Sequence, residues 1–184
     1  MNILDKLKEK FDTVEPIFDY EIYELGFSDE DIADTLEQNK FEELIGVSEI
    51  PCRIFYIVGY SDFLNDYIRL FNTSESVITK YFLGKNFEFG FYYGLTLQNK
   101  LGLSTQVPAK IYIQSNKAKQ NMNVGYFVII SNEDYVKDDS NYICLAEILN
   151  FKGEFEYDIS LIYEDLSKKC TDLNKLNMYK SRRI

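Results

Sequence analysis

Residues 87–117 read FEFGFYYGLTLQNKLGLSTQVPAKIYIQSNK, and their punctuation predicts strand, helix, turn and strand. Residues 87–93 form an aromatic, β-rich run. Gly94, after two tyrosines, lets that strand end sharply into a short amphipathic helix over residues 96–101. Gly102 ends the helix one residue before Leu103 returns to the core. Pro108 sets the start of the second strand, residues 110–114, at an early position that tolerates a missing N–H. Thr105 and Gln106 fall on the most polar part of the turn. Recognition and turn capping are equally weighted roles for them, since loops on a rigid scaffold often carry binding. No constellation of acid, base and nucleophile is laid out here. The block points to binding.

Outward from the block, residues 74–83 place Val77, Ile78, Tyr81 and Phe82 on one helical face, closed by Gly84-Lys85-Asn86. A further helical stretch is expected over residues 61–71, with Ile68 and Phe71 on one face. Downstream, residues 116–123 are polar and read as an exposed loop, and residues 124–131 (VGYFVIIS) as a buried strand. Residues 141–151 suit a helix packed on the sheet through Ile143, Leu145, Ile148 and Leu149. Residues 157–166 read as an amphipathic helix with Ile159, Ile162, Tyr163 and Leu166 inward. The end, residues 178–184, carries Lys180, Arg182 and Arg183 and is expected to fray.

Toward the N-terminus, Ile3, Leu4, Leu7 and Phe11 recur at helical spacing. Pro16 interrupts that pattern. A second helix carries Ile22 and Leu25 and stops at Gly26. Ser28, followed by Asp29, Glu30 and Asp31, reads as an N-cap with an acidic first turn. The third helix is expected to run over residues 28–43, with Ile32, Ala33, Leu36 and Phe41 inward. Residues 52–58, entered through Pro51, form a β-rich run. Three short helices and a strand follow the order of a winged helix-turn-helix.

The totals narrow the choices. A chain of 184 residues that is 46% hydrophobic can bury a core. It has no run of about eighteen apolar residues, so no membrane-spanning helix is expected. The first residues lack a signal-peptide core, which makes the cytoplasm the expected location. Cys52, Cys144 and Cys170 are odd in number and far apart, and read as ordinary thiols. With no histidine, a Ser–His or Cys–His nucleophile and an imidazole zinc site are excluded. No catalytic residue, metal or cofactor is expected, and the protein is read as a non-enzyme.

Tyr92, Tyr93, Gly94, Leu101, Gly102, Leu103, Thr105, Gln106, Val107 and Pro108 stand in an order that resembles the AbiEi-like antitoxins of abortive-infection type IV toxin–antitoxin systems. The resemblance covers residues 74–151 and, more loosely, residues 20–58. There the Leu25-Gly26-Phe27-Ser28 elbow and the Ile54-Phe55-Tyr56 strand are similar to the small winged helix many of these antitoxins carry. It implies a larger C-terminal part that neutralises a nucleotidyltransferase-like toxin and a winged helix that represses its own promoter. In the type IV scheme the two proteins need not form a stable complex. The expected fold is α+β: an acidic winged-helix-like unit over residues 1–58, an antitoxin-like domain of helices on a short sheet over 59–170, and a basic, frayed tail over 171–184.

Charge modifies that expectation. The net charge is −10, and residues 1–50 alone hold 15 acidic groups against four lysines, a balance of −11. A helix-turn-helix draws most of its affinity from Lys and Arg on phosphates. The third helix offers Lys40 alone against Asp29, Glu30, Asp31, Asp34, Glu37, Glu42 and Glu43, with Arg53 the other nearby cation. That balance disfavours DNA. The acidic helix has three readings: a solvated face, a surface for a basic protein, or a nucleic-acid mimic. The candidate partner-binding residues are therefore Tyr92, Tyr93, Thr105 and Gln106 in the block and Asp31, Asp34 and Glu37 on the helix, while Lys40 and Arg53 are the candidates for DNA. The expected partner is a toxin. The second reading is a stand-alone inhibitor, of a kind a phage could encode, whose acidic N-terminal face binds a basic host protein that handles nucleic acid.

Overall fold

A computed structural model of the chain describes residues 3–13, 15–37, 41–44, 49–61, 63–68, 74–155 and 157–181. It is an α+β fold in two units, residues 1–80 and 81–184. The chain passes from one to the other inside a helix.

In the first unit, α1 (Ile3–Lys10), β1 (Ile17–Phe18), α2 (Asp19–Tyr23), α3 (Asp29–Leu36), β2 (Phe41–Leu44) and β3 (Ile54–Ile57) follow in order. β3 lies between β1 and β2, antiparallel to both. It takes the centre because all four of its residues, Ile54-Phe55-Tyr56-Ile57, are buried, as a doubly covered strand requires. Ile3, Leu4, Leu7, Ile17, Ile22, Ile32, Phe41 and Phe55 share one core.

The third helix is shorter than its expected span. α3 ends at Leu36, and Phe41, Glu42 and Glu43 lie on β2. Phe41 is buried as expected, but as a strand residue stacked on Phe55, with ring centroids 5.1 Å apart. Such a cross-strand aromatic pair outweighs the modest helix propensity of Phe-Glu-Glu-Leu. The helix expected over residues 61–71 is also corrected. β4 (Gly59–Ser61) and β5 (Asp66–Ile68) pair antiparallel, turning through Asn65 at φ +50°, a conformation Asn tolerates.

α4 (Ser74–Leu83) leads into the second unit. There β6 (Gly90–Tyr92), α5 (Gly94–Lys100), β7 (Ile111–Ser115), β8 (Met122–Val124), β9 (Phe127–Ser131), α6 (Asp139–Asn150), α7 (Ser160–Lys169) and α8 (Leu173–Ser181) follow. The sheet order is β6-β7-β9-β8, with β7 and β9 parallel and the outer pairs antiparallel. The block thus folds as strand, helix, turn and strand, β6–α5–β7. β6 begins later than expected, at Gly90, because Asn86 and Phe87 take left-handed conformations, at φ +57° and +59°, that a strand cannot hold. At Gly90 itself the backbone is crowded. A Cβ at Gly90 would lie 2.3 Å from the Gln114 carbonyl oxygen and 2.6 Å from that of Phe82.

The strand expected over residues 124–131 is a hairpin, β8 and β9, turning at Gly125 and Tyr126. The preceding stretch is not wholly exposed, since Ala118 is buried. The tail is corrected over residues 173–181. α8 is ordered and buries Leu176 and Tyr179 against the core that holds Ile143, Leu145 and Ile148 of α6. Arg182 and Arg183 lie outside the described residues. α7 is corrected in its facing: Leu166 and the preceding Ile159 are buried, but Ile162 and Tyr163 are exposed. No helix among the described residues is long and apolar enough to cross a membrane.

Candidate functional site

Asp31, Asp34 and Glu37 are all exposed on or at the end of α3. They are not equivalent. Asp31 closes a capping box: its Oδ2 accepts from the Ser28 N–H and hydroxyl, both at 2.8 Å, while its own N–H donates to Ser28 Oγ at 3.3 Å. The Ser28 amide first, and the hydroxyl second, hold the Asp31 carboxyl below its ordinary range. Asp34 and Glu37 are left as the outward charges of the three candidates.

Arg53 is committed to carboxylates. Its Nε and Nη2 donate to the two oxygens of Glu43 at 3.0 and 2.9 Å, and its Nη1 donates to Asp29 Oδ1 at 3.2 Å. The forked bond lowers the Glu43 carboxyl from its usual value and raises the guanidinium further. Tyr23 donates to the same Asp29 oxygen at 2.8 Å. The Arg53 side chain remains 40% exposed, so each pair contributes at most about 1 kcal/mol. Its electrostatic effect is larger than its energy, because it leaves little positive field for a phosphate. Lys80 is also engaged, between Pro16 O at 2.6 Å and the Glu15 and Glu21 carboxylates at 2.9 Å. Lys40 lies outside the described residues.

In the second unit, Tyr92 and Tyr93 are half-buried at the end of β6. Lys100 lies over the Tyr92 ring at 4.4 Å, and Tyr93 meets Tyr112 edge-on at 5.4 Å. Burial, and then the neighbouring Tyr112, raises the Tyr93 hydroxyl above its ordinary value. Thr105 and Gln106 are exposed beside Val107. Ser104 does the capping: its Oγ accepts from the Gln106 N–H at 3.1 Å, and its carbonyl accepts from Asn99 Nδ2 at 3.2 Å. The turn is thereby held from within, with the Thr105 and Gln106 side chains outward. The acidic and block candidates belong to different units.

Sequence reading passed over a third feature of the second unit. Ile148 and Leu149 of α6, Phe151, Phe155 and Tyr157 of the connection after it, and Tyr163 of α7 line an open groove of about 700 Å³. Phe151 and Phe155 stack at 5.6 Å. Asp158, Ser160 and Glu164 supply its polar edge, and Asp158 Oδ1 accepts from the Ser160 N–H and hydroxyl at 3.0 and 2.5 Å. The signal was three aromatics in a connection containing Gly153, where a solvated loop would be polar.

Among the described residues, no group of three or more Cys, Asp or Glu side chains is arranged to hold a metal ion. No disulfide joins the three cysteines, of which Cys52 and Cys144 are half-buried and Cys170 is buried. The chain matches no protein-family model, no curated protein and no solved structure.

Proposed function

We propose that this protein is a non-enzymatic antitoxin, or a regulator derived from one, that acts by binding in a prokaryotic or phage defence system. The observation that carries the reading is the joining of two patterns in one chain. The first unit runs helix, strand, helix, helix, strand, strand with the last strand central, an order that supports the winged-helix reading of residues 1–58. The second unit presents the β6–α5–β7 block with Thr105 and Gln106 outward. Co-expression with a nucleotidyltransferase-like toxin encoded beside it should restore growth. Persistent arrest with the folded chain at equal abundance rejects the reading.

A second reading is favoured by one specific feature, the neutralised Arg53 behind an acidic α3. An inhibitor of a basic, nucleic-acid-handling protein would use that face. Asp34→Lys with Glu37→Lys removes most of its negative charge without disturbing the Ser28–Asp31 cap. Loss of partner capture on this change, with the thermal midpoint retained, is the expected result. Unchanged capture eliminates the acidic face as the binding surface.

A further inference from the structure

α7 exposes more apolar surface than its unit covers. Leu166 is its buried residue, whereas Leu161, Ile162 and Tyr163 in its first turn are 81%, 41% and 42% exposed. Across the groove, Leu149, Phe155 and Tyr157 are exposed as well. Contiguous apolar surface around a concavity marks an interaction site. The wall is also held in place. The Tyr157 ring lies against Gly102, where a Cβ would sit 3.4 Å from Tyr157 Cδ2, so the turn of the central block seats one side of the groove.

Chemistry selects the occupant. Among the described residues, the charged side chains lining the groove are carboxylates, Asp158 and Glu164, and the neighbouring Lys152 is not one of the lining residues. The remaining polar surface is the faces and hydroxyls of two tyrosines and one serine. Aromatic faces attract cations through their quadrupole, and carboxylates beside them add a charge-assisted bond. A nucleic acid or an anionic lipid surface meets like charge here. So does a second copy of the chain, at a net charge of −10.

We propose that this groove binds a basic amphipathic segment of a protein partner. Its apolar side chains lie on Leu149 and Phe155, and an Arg or Lys head reaches across Tyr157 and Tyr163 to Asp158 and Glu164. The assignment is independent of the antitoxin reading: rescue of growth and occupancy of the groove are separate readouts.

The test uses the full chain, isotopically labelled, titrated with a synthetic Leu/Arg amphipathic helix of about three turns. Two control peptides replace Arg by Glu or Leu by Ser. The Leu/Arg peptide should shift amides of the last turn of α6 and the first turn of α7. Glu164→Lys should weaken it by about tenfold, the scale of one charge-assisted contact. Tyr163→Ser gives an independent variant, with unchanged shifts elsewhere showing that the fold is retained. Shifts that map to α3, or binding unaffected by both groove variants, overturn the assignment. So does equal binding of the Leu/Glu peptide (apolar capture alone) or of the Ser/Arg peptide (charge alone). Self-association of the free chain through this face in sedimentation also overturns it.

Discussion

Gly102 works twice, as the stop of α5 and as the seat of Tyr157. Its φ of +71° is in the left-handed region, and a Cβ there would meet the Tyr157 ring only at ordinary contact distance, so the backbone conformation is what requires glycine. Gly102→Ala should therefore destabilise the protein by about 1–2 kcal/mol, the left-handed penalty of an L-residue, read as a lower denaturant midpoint at unchanged slope. Ser28 has a purely local role. Ser28→Ala removes the hydroxyl of the α3 capping box and should cost about 1 kcal/mol, measured the same way. Both residues were legible in the sequence because cap and stop are settled within a few positions of the chain. The fate of Arg53 was not. Its partners, Glu43 and Asp29, stand 10 and 24 positions away, and the pairing of β2 with β3 is what brings Glu43 beside it.

At the scale of elements, α8 is tied to α6 through one carboxylate. Asp139 is buried at the start of α6, accepts from the Tyr179 hydroxyl at 2.5 Å and pairs with Lys175, both on α8. Asp139→Ala strands these donors and should cost about 2–3 kcal/mol, the range for hydrogen bonds to a charged group. Hydrogen exchange should then open the amides of α8 before those of the sheet. Helical periodicity located α7 and placed Ile159 and Leu166 inward correctly, but not Ile162 and Tyr163, which are exposed. Period alone shows that a helix has an apolar face, and only the area offered by α6 decides how much of that face is covered. For β2 and the β4–β5 hairpin the local patterns were compatible with helix, and strand pairing prevailed. Short segments carry little nucleated helix stability of their own.

At the scale of the molecule, charge and titration make two predictions. With Arg53 held by carboxylates and α3 acidic, a gel-shift titration against the upstream region of its own gene should show no specific complex, even at low salt, where phosphate contacts are strongest. The second prediction concerns alkali. Burial raises the Cys144 thiol to about 11, with Cys170 and Glu147 adding to it. Burial, and then the Asp139 charge, raises the Tyr135 hydroxyl, which donates to Phe87 O at 2.6 Å. The Asp139 bond raises Lys175. All three groups hold their protons more tightly folded than unfolded, so stability falls as pH rises through their range. It should be level below about pH 8, where the unfolded thiol begins to ionise, and decline toward pH 11 and beyond. Thermal unfolding followed by circular dichroism reads this directly, and Cys144→Ala or Tyr135→Phe should flatten the decline.

The block at residues 87–117 marks the division between what was readable along the chain and what was not. Its order of strand, helix, turn and strand follows from glycine, proline and apolar period, all of which act over a few residues. The α+β class and the acidic character of residues 1–50 were readable for the same reason. The shortening of α3, the neutralisation of Arg53, the anchoring of α8 and the groove beside α7 rest on contacts between distant positions. Their energies come from strand pairing, burial and shared carboxylates, which exist only once the chain has folded.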